Sequence, residues 1–440
     1  MNIDRICVKD LFDAFNYDLK FVANERIMIV TGPNGSGKTT ILKLLDVMFN
    51  QPISRLFEVP FREFSVSFDD DTQLVVRRLL DDHHDDQEQL SPTLTFHHDG
   101  ADKPFHLRGA LIGRADLRIP ISTIEDVIPT LDQVGRQQWI NSETGEELDL
   151  HDVITTYPSK LLPQRLRESI SPPEWLQNII RPINVRFIDT ERLIRISHRR
   201  RRYRHAASTT RTVSHYSRQL ADRIRQSMAQ YGELSESLDR TFPYRLVTDP
   251  ELSSDLVETL RRDLDEIEQK RLQLEEAGLL VGEQGGLAVP DLSNVDESKQ
   301  NVLAVYARDT KKKLAIFDDL YGKVSAFKRI VNSRFSHKQV SVSDKGLRVS
   351  KNGDTDLDLE MLSSGEQHEL VIFYELLFRA SSNSLILIDE PELSLHVDWQ
   401  EQWLEDLAKT AQLSNFRAIV ATHSPEIIGG KWPLVVELLD

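Results

Sequence analysis

The sequence predicts a mixed α/β protein whose alternating strands and helices are interrupted by a helical insertion. Near the start, the strand-like run at residues 26–30 leads directly into a glycine-rich loop and an apolar helix. Residues 340–440 again alternate between apolar strands and helical segments. Between these parts, residues 213–240, 251–277 and 296–334 repeat apolar side chains at intervals of three and four, which indicates helices.

Shorter patterns predict further local elements. Residues 64–79 alternate around an Asp-rich turn, and residues 338–350 alternate around Gly346, so we expect a β-hairpin at each place. Residues 183–193 contain another strand. Residues 81–182 carry scattered Pro and Gly and are expected to form an insertion whose structure the pattern does not define.

Composition excludes several classes of protein. The 440 residues carry a formal net charge of −16, which argues against a uniformly basic nucleic-acid binder. Cys7 is the one cysteine, so a single chain can form neither a disulfide nor a zinc ribbon. The start lacks the apolar segment of a signal peptide, and no apolar run is long enough to span a membrane. These features predict a cytoplasmic protein with no membrane partner.

A phosphate-binding pattern, G-x-x-x-x-G-K-[ST], is matched without a gap at residues 32–39. Its glycines let backbone N–H groups surround phosphates, its lysine reaches the β- and γ-phosphates, and its hydroxyl ligates Mg²⁺. Because the pattern follows a strand and opens a helix, we expect a nucleotide site rather than a plain glycine-rich turn. The predicted nucleotide-binding residues are Gly32, Pro33, Asn34, Gly35, Ser36, Gly37, Lys38, Thr39 and Thr40, with Lys38 also catalytic and Thr39 also a metal ligand.

Two further apolar strands end in polar side chains. Residues 384–388 lead into the adjacent acids Asp389 and Glu390, and residues 418–421 lead towards His423. Parallel sheets of this class bind nucleotide at the carboxyl ends of their strands. We therefore expect Asp389 to hold Mg²⁺, Glu390 to polarise the attacking water, and His423 to hydrogen-bond the γ-phosphate. A buried strand capped by acids, and a surface histidine, are the alternatives.

The stretch MLSSGEQHEL, residues 361–370, precedes a long apolar run and marks the start of a helix. Ser363 with Glu366 three residues later fits a capping box. The free N–H groups of such a helix start also suit an anion.

Together, these motifs in this chain order resemble the ABC-type ATPase superfamily. In that superfamily the stretch LSSGEQ is the signature, which caps the γ-phosphate bound to the P-loop of a second subunit. The resemblance therefore implies that Ser363, Ser364, Gly365 and Glu366 bind ATP in a partner's site, and that the protein acts with Mg²⁺ as a homo-oligomer, at least a dimer of ATPase heads. Residues 391–396 stand where the family has its D-loop, with His396 where transporters usually have Asp.

The signature follows the P-loop by about 325 residues, far more than in transporter ATPases. This gap resembles the SMC/RecF-like branch, in which helices split the head, and the lack of Cys-x-x-Cys excludes a zinc hook. The expected organisation is an N-terminal part of the head (1–80), an insertion (81–182), a strand with a basic loop (183–212), a helical arm forming a short coiled coil (213–335) and a C-terminal part of the head (336–440).

The motifs at residues 1–50 and 340–440 also resemble the ATPases of the PARIS anti-phage defence family, to which Septu and OLD-type ATPases are related. That resemblance implies an ATPase ring such as a hexamer, a separately encoded Toprim-type nuclease and a phage-encoded trigger protein. The chain ends soon after His423, so we expect the nuclease on another protein. A RecF-type repair ATPase activated by DNA and a nucleotide-locked scaffold stay open as alternatives.

Other stretches have more than one interpretation. The basic run from Arg199 to Arg204 is either a solvated loop or a surface for DNA or an acidic protein. Residues 79–89, rich in Asp and His, are expected to be a polar loop rather than a metal site. The Q-loop is placed at residues 190–192. Tyr17 and Phe21 are candidates for stacking on adenine, or are simply core.

Overall fold

The computed structural model describes residues 1–80, 92–108, 124–135, 137–141, 147–161, 171–198, 207–248, 256–280, 296–351 and 355–439. The chain forms two compact units, Met1–Thr210 with Arg379–Asp440, and Arg211–Phe378. Residues 336–378, with the predicted signature, therefore belong to the second unit, whereas the sequence analysis grouped them with the C-terminal part of the head. The basic run at 199–204 and most of the acidic stretch at 79–89 lie outside the described residues.

A five-stranded parallel sheet lies at the centre of the first unit. Its strands, numbered along the chain and given in spatial order, are β11 (Val185–Ile188), β17 (Leu385–Asp389), β18 (Arg417–Ala421), β3 (Ile27–Thr31) and β19 (Val435–Glu437). All four neighbouring pairs are parallel. The three central strands are almost entirely buried, as expected for a parallel sheet covered on both faces. This sheet confirms the predicted α/β class.

Helices follow the strands of this sheet. The helix α1 (Lys38–Asn50) leaves β3 through the glycine-rich loop and buries Ile41, Leu42, Leu44 and Leu45. In the described part of the first unit the other helices are α2 (Ile124–Val127), α3 (Leu150–Thr156), α4 (Pro158–Leu161), α5 (Glu174–Ile180), α11 (Val397–Ser414) and α12 (Pro425–Ile428), with 3₁₀ turns at Ile53–Glu58 and Trp432–Leu434.

An antiparallel sheet of six strands shares the core of the first unit. In spatial order the strands are β2 (Phe15–Lys20), β1 (Ile3–Leu11), β4 (Glu63–Phe68), β5 (Gln73–Leu80), β6 (Pro92–His98) and β7 (Phe105–Arg108). The pair β4–β5 is the hairpin predicted at residues 64–79. Part of the 81–182 segment extends this sheet, because β6 pairs with β5 and β7 pairs with β6, and Leu94, Phe96 and Leu107 lie in the shared core.

Two smaller sheets complete the first unit. The strands β8 (Leu131–Gly135), β9 (Gln138–Asn141) and β10 (Glu147–Asp149) form a three-stranded sheet, and a separate apolar cluster around the buried Trp139 joins it to α2 and α3. The strands β12 (Ile194–His198) and β13 (Ala207–Arg211) pair with each other on either side of the basic run.

Long helices dominate the second unit, as the apolar spacing predicted. They are α6 (Thr212–Thr248), α7 (Leu256–Ala277), α8 (Glu297–Ala315), α9 (Asp318–Arg334) and α10 (Ser364–Tyr374), followed by a π-helical segment, Glu375–Arg379. A small sheet accompanies them, formed by β14 (Lys338–Ser343), β15 (Gly346–Lys351) and β16 (Thr355–Leu357). The pair β14–β15 is the predicted hairpin. Among the described residues, no helix has both the length and the apolar character needed to cross a membrane.

Candidate nucleotide site

The glycine-rich loop joins β3 to α1 and has the backbone shape that its sequence predicts. Gly35 and Gly37 have φ angles of 85° and 90°, in the left-handed region that favours glycine. A Cβ on Gly37 would lie 2.8 Å from a methyl group of Leu11, so the Leu11 side chain would have to move to admit any other residue there. Ser36 is buried, and its hydroxyl has no hydrogen-bond partner among the described residues. The loop therefore encloses polar groups that phosphate oxygens could bind.

Lys38 is buried at the start of α1, and its ammonium folds back onto the loop. Its Nζ donates to the carbonyl oxygens of Gly32 and Pro33, at 2.9 and 3.0 Å. Burial lowers the pKa of Lys38, although the nearby carboxylates Glu390, Asp389 and Glu392 oppose that shift. The ammonium thus lies inside the loop, where the motif requires it for phosphate.

Asp389 ends β17 beside the start of α1. The hydroxyl of Thr39 donates to both carboxylate oxygens of Asp389, at 3.1 and 3.0 Å. Burial raises the pKa of Asp389 to about 6, and the charges of Glu390 and Asp189 add to that shift. A carboxylate and a hydroxyl are hard oxygen ligands of the kind that Mg²⁺ uses together with nucleotide phosphates, so the pair fits this ion. No group of three or more His, Cys, Asp or Glu side chains in the described part of the chain forms a separate metal site.

Glu390 and His423 face each other at the same edge of the sheet. Glu390 Oε1 lies 3.9 Å from His423 Nε2, and each side chain is about one-third exposed, 32% and 34% respectively. Glu390 has a φ of 43°, which is unusual for a residue with a side chain. The structure thus brings together the two residues that the sequence placed at the ends of separate strands.

Glu392 is a residue of this site that the sequence analysis did not single out. Its Oε1 accepts hydrogen bonds from the Thr422 hydroxyl, at 2.8 Å, and from the backbone N–H of His423, at 2.7 Å. Glu392 therefore joins the loop after β17 to the loop that carries His423. The repeated acid in the stretch DEPE was the available signal, but sequence alone does not reveal a backbone N–H as its partner.

Residues 189–193 form a turn after β11, where the sequence analysis placed the Q-loop. Asp189 accepts hydrogen bonds from the N–H and hydroxyl of Thr190. Arg192 is buried, and its guanidinium donates to main-chain carbonyls at the end of β17. The turn thus contacts the Asp389–Glu390 segment through main-chain atoms.

The aromatic residue that lies exposed near the glycine-rich loop is not one of the two that were candidates for stacking on adenine. Tyr17 and Phe21 are 6% and 3% exposed and belong to the apolar core, and the Arg417 guanidinium lies 3.7 Å from the centre of the Phe21 ring. Neither ring is exposed for stacking on a base. Phe12 is 43% exposed, and its ring edge lies 3.8 Å from the place where a Cβ of Gly37 would stand. It is a better candidate, which the sequence analysis missed because Phe12 lies in a turn.

The signature stretch forms the N-terminus of α10 in the second unit. Ser363 and Glu366 form the predicted capping box: the Glu366 N–H donates to Ser363 Oγ, and the Ser363 N–H donates to Glu366 Oε2. Lys338 donates to both oxygens of Glu366 at 2.7 Å. Burial works to raise the pKa of Glu366, but the hydrogen bonds from Lys338 and Ser363 together outweigh it, so the pKa is lowered. Ser363 and Ser364 are exposed, while Gly365 is buried. The exposed helix start presents N–H groups for an anion.

The predicted D-loop, residues 391–396, precedes α11 in the first unit. Leu393 is 38% exposed, and Ser394 has a positive φ of 65°. His396 is exposed and N-caps α11 by accepting from the N–H of Asp398. A histidine at this position thus has a capping function within its own chain.

Residues 247–428 match the protein-family model described as "AAA ATPase domain". This match contains the signature, Asp389, Glu390 and His423. No curated protein sequence matches the chain significantly.

Three solved structures of SMC heads are similar to the chain. An Smc head bound to the C-terminal winged-helix domain of ScpA has 12% sequence identity and a TM-score of 0.38, and the match covers 99% of this chain and 94% of that one. An Smc head with an extended coiled coil from Pyrococcus furiosus has 12% identity and a TM-score of 0.34, with 99% and 93% of the two chains covered. An SMC head from Thermotoga maritima has 11% identity and a TM-score of 0.34, with 97% and 91% covered. The parallel sheet, the P-loop and the helical insertion define an α/β P-loop ATPase fold of the ABC type.

Proposed function

We propose that this protein binds MgATP at the loop of residues 32–39 and hydrolyses it. The observation that carries the proposal is the contact between Thr39 and Asp389, which are 350 residues apart in the chain but joined by hydrogen bonds of 3.0 and 3.1 Å. These two residues would hold Mg²⁺. When bound, Mg²⁺ would offset the negative charge on the phosphate oxygens.

The chain's own residues have distinct roles in this proposal. The backbone of Gly32–Thr40 and the ammonium of Lys38 bind and orient the phosphates. Glu390 holds the attacking water and takes up its proton, and His423 donates a hydrogen bond to the γ-phosphate. Glu392 keeps the His423 backbone in place, and Phe12 stacks on the base.

We further propose that the site is completed by a second copy of the chain. In its own chain the signature belongs to the second compact unit, and its exposed Ser363 and Ser364 leave the helix N-terminus open. Such a helix start would bind the γ-phosphate held by the P-loop of the partner. This arrangement requires a homo-oligomer, a dimer of heads or a larger ring such as a hexamer.

Mutation of the acid at position 390 tests the proposed chemistry. Glu390→Gln should bind ATP with unchanged affinity but lose hydrolysis, because Thr39, Asp389 and Lys38 remain. Lys38→Ala should lose binding. Glu401→Gln removes an exposed carboxylate from α11 and is the matched control. A fluorescent ATP analogue reports binding, and phosphate release reports turnover. Wild-type turnover by Glu390→Gln would show that Glu390 is not the base.

The biological role that we propose is that of a sensor and scaffold ATPase in an anti-phage complex, which holds a separately encoded Toprim-type nuclease and releases it in response to a phage-encoded trigger. The support is the resemblance of the motifs at residues 1–50 and 340–440 to the PARIS ATPases. Co-expression with the neighbouring gene products tests this role. We expect the two proteins to form a complex of defined composition, and we expect phage restriction to require Lys38, Glu390 and the neighbouring protein together. Full restriction by this protein alone would refute the proposed role.

A DNA-activated repair ATPase of the SMC/RecF type is the second candidate. The helices α6–α9, inserted between β13 and the signature, favour it, and the basic run at residues 199–204 could bind DNA. Turnover measured with and without DNA separates the candidates: activation by DNA favours repair, and activation by a co-purified protein favours defence. A nucleotide-locked scaffold would turn over slowly under both conditions.

A further inference from the structure

We propose that Arg192 is a positioning residue for hydrolysis, which fixes the backbone turn that carries Glu390. Its guanidinium donates three hydrogen bonds to main-chain carbonyls: Nη1 to Asp189 at 3.2 Å and Asp389 at 3.3 Å, and Nη2 to Glu390 at 3.3 Å. The inference rests on the proposed function, because it takes Glu390 to be the residue that activates water.

Strand register explains how Arg192 reaches this place. The strands β11 and β17 pair in parallel, with Val185 opposite Leu385 and Ile188 opposite Ile388. Both strands therefore end at the same edge of the sheet. The turn at residues 189–193 then brings Arg192 over the end of β17, where the side chain is only 8% exposed.

The Glu390 backbone needs such support. Its φ of 43° lies in the left-handed region, which residues with a side chain adopt only when their surroundings hold them. On one side, the Glu390 N–H donates to Ala421 O at 2.9 Å. On the other side, the Glu390 carbonyl accepts from Leu393 N–H at 3.2 Å and from Arg192.

A guanidinium suits this role better than an ammonium. Its planar fork can bridge the carbonyls of two successive residues, Asp389 and Glu390, whereas the ammonium of a lysine acts as a point charge. Because Arg192 donates to main-chain oxygens in these contacts, it holds the turn without occupying the Glu390 carboxylate. That carboxylate stays about one-third exposed beside His423.

Steady-state kinetics of Arg192 variants test the proposal. Arg192→Ala should lower kcat by about 100-fold, the effect of a small displacement of a catalytic group, while KM and the Kd for ATP change less than about twofold. Arg192→Lys should fall between Arg192→Ala and the wild type. Arg181→Ala removes an exposed arginine that follows α5 and should behave like the wild type.

Chemical rescue adds a readout that general destabilisation would not produce. Guanidinium at low millimolar concentration should restore part of the turnover of Arg192→Ala but none of that of Glu390→Gln. Unchanged kcat in Arg192→Ala, or loss of ATP binding in parallel with kcat, would overturn the positioning role. If Arg192→Ala does not fold, Arg192→Gln replaces it in the same comparison.

Backbone hydrogen exchange separates failure of this proposal from failure of the proposed function. Arg192→Ala, and not Arg181→Ala, should speed exchange of the Glu390 and Leu393 amides, whose turn Arg192 holds. If the wild-type protein has no ATPase activity, the proposed function is refuted, and so is the role of Arg192 in positioning Glu390 for hydrolysis. If the wild-type protein is active but Arg192→Ala leaves the exchange of both amides unchanged, only the positioning role of Arg192 is refuted.

Discussion

The hydroxyl of Thr39 donates to both carboxylate oxygens of Asp389, and this contact joins the first turn of α1 to the end of β17. Asp389 is buried, and burial raises the pKa of its carboxyl to about 6. Its usual value in an unfolded chain is about 3.9. The carboxylate that would hold Mg²⁺ is therefore a destabilising group while the site holds no ion.

Asp389→Asn should stabilise the nucleotide-free protein in EDTA at pH 7. The folded wild type binds its proton more tightly than the unfolded chain, so the free energy of unfolding falls as pH rises from about 4 to about 6. Asparagine does not titrate, so the free energy of unfolding of the variant does not fall in this way between pH 4 and pH 6. Because the Thr39 hydroxyl donates less strongly to an amide oxygen than to a carboxylate, we expect a net gain of about 1–2 kcal/mol.

Thermal melts of both proteins at pH 7, 5 and 4 would measure this difference. The melting temperature of Asp389→Asn should be higher by a few degrees at pH 7 and equal to that of the wild type near pH 4. Asp398→Asn, at an exposed acid in α11, should show no such change. A lower melting temperature of Asp389→Asn at pH 7 would contradict the destabilising role.

Ser364→Arg should block hydrolysis in the partner's site and leave ATP binding to its own P-loop intact. Ser364 is exposed at the N-terminus of α10, where an arginine would fill the space for a γ-phosphate. Ser237→Arg, on the exposed face of α6, is the control and should stay active.

Mixing this variant with Lys38→Ala tests the shared site directly. A mixed dimer has one intact site, formed by the P-loop of one subunit and the signature of the other. At equal concentrations, random exchange should restore roughly a quarter of wild-type turnover. No recovery at any ratio, with mixing verified by mass, would rule out a site shared between subunits.

Gly346→Ala should destabilise the second unit. Gly346 begins β15 with a φ of 102°, and a Cβ there would lie 2.3 Å from the carbonyl oxygen of Ser217 in α6. Because that atom belongs to a helix backbone, it cannot easily move. We expect a loss of about 2–4 kcal/mol in urea unfolding followed by circular dichroism.

Gly232→Ala provides the opposite control for this experiment. Gly232 lies inside α6 with nothing within 4 Å of an added Cβ, so alanine should stabilise the protein by up to about 1 kcal/mol. Equal effects of the two substitutions would mean that the close approach at Gly346 is not what constrains the hairpin.

Replacement of Arg199, Arg200, Arg201 and Arg202 by Ala tests the basic run. If these residues bind DNA, affinity should fall about equally for all sequences, and the slope of log K against log salt should flatten by about 0.9 per lost phosphate contact. A variant that removes four exposed arginines of the second unit, Arg223, Arg240, Arg261 and Arg262, controls for total charge. If the wild-type protein shows no salt-sensitive DNA binding, the basic run does not bind DNA and serves a protein partner or no partner.

Several local features could be predicted from the sequence because each depends on neighbouring residues. The glycines of the P-loop permit positive φ angles, Ser363 and Glu366 form a capping box within one helical turn, and the alternating pattern around Gly346 gives a hairpin. The spacing of apolar residues predicted the long helices for the same reason. In each case, the interacting groups lie within a few residues of one another.

The tertiary structure decided which distant residues meet. Strand order places Asp389 beside Thr39 and brings the ends of β11 and β17 together, and no motif specifies that order. The tertiary structure also buries Tyr17 and Phe21 and leaves Phe12 exposed. The sequence placed Arg192 in the Q-loop without its partners and did not single out Glu392, because both side chains bind main-chain groups, which every residue carries and which therefore leave no pattern in the sequence.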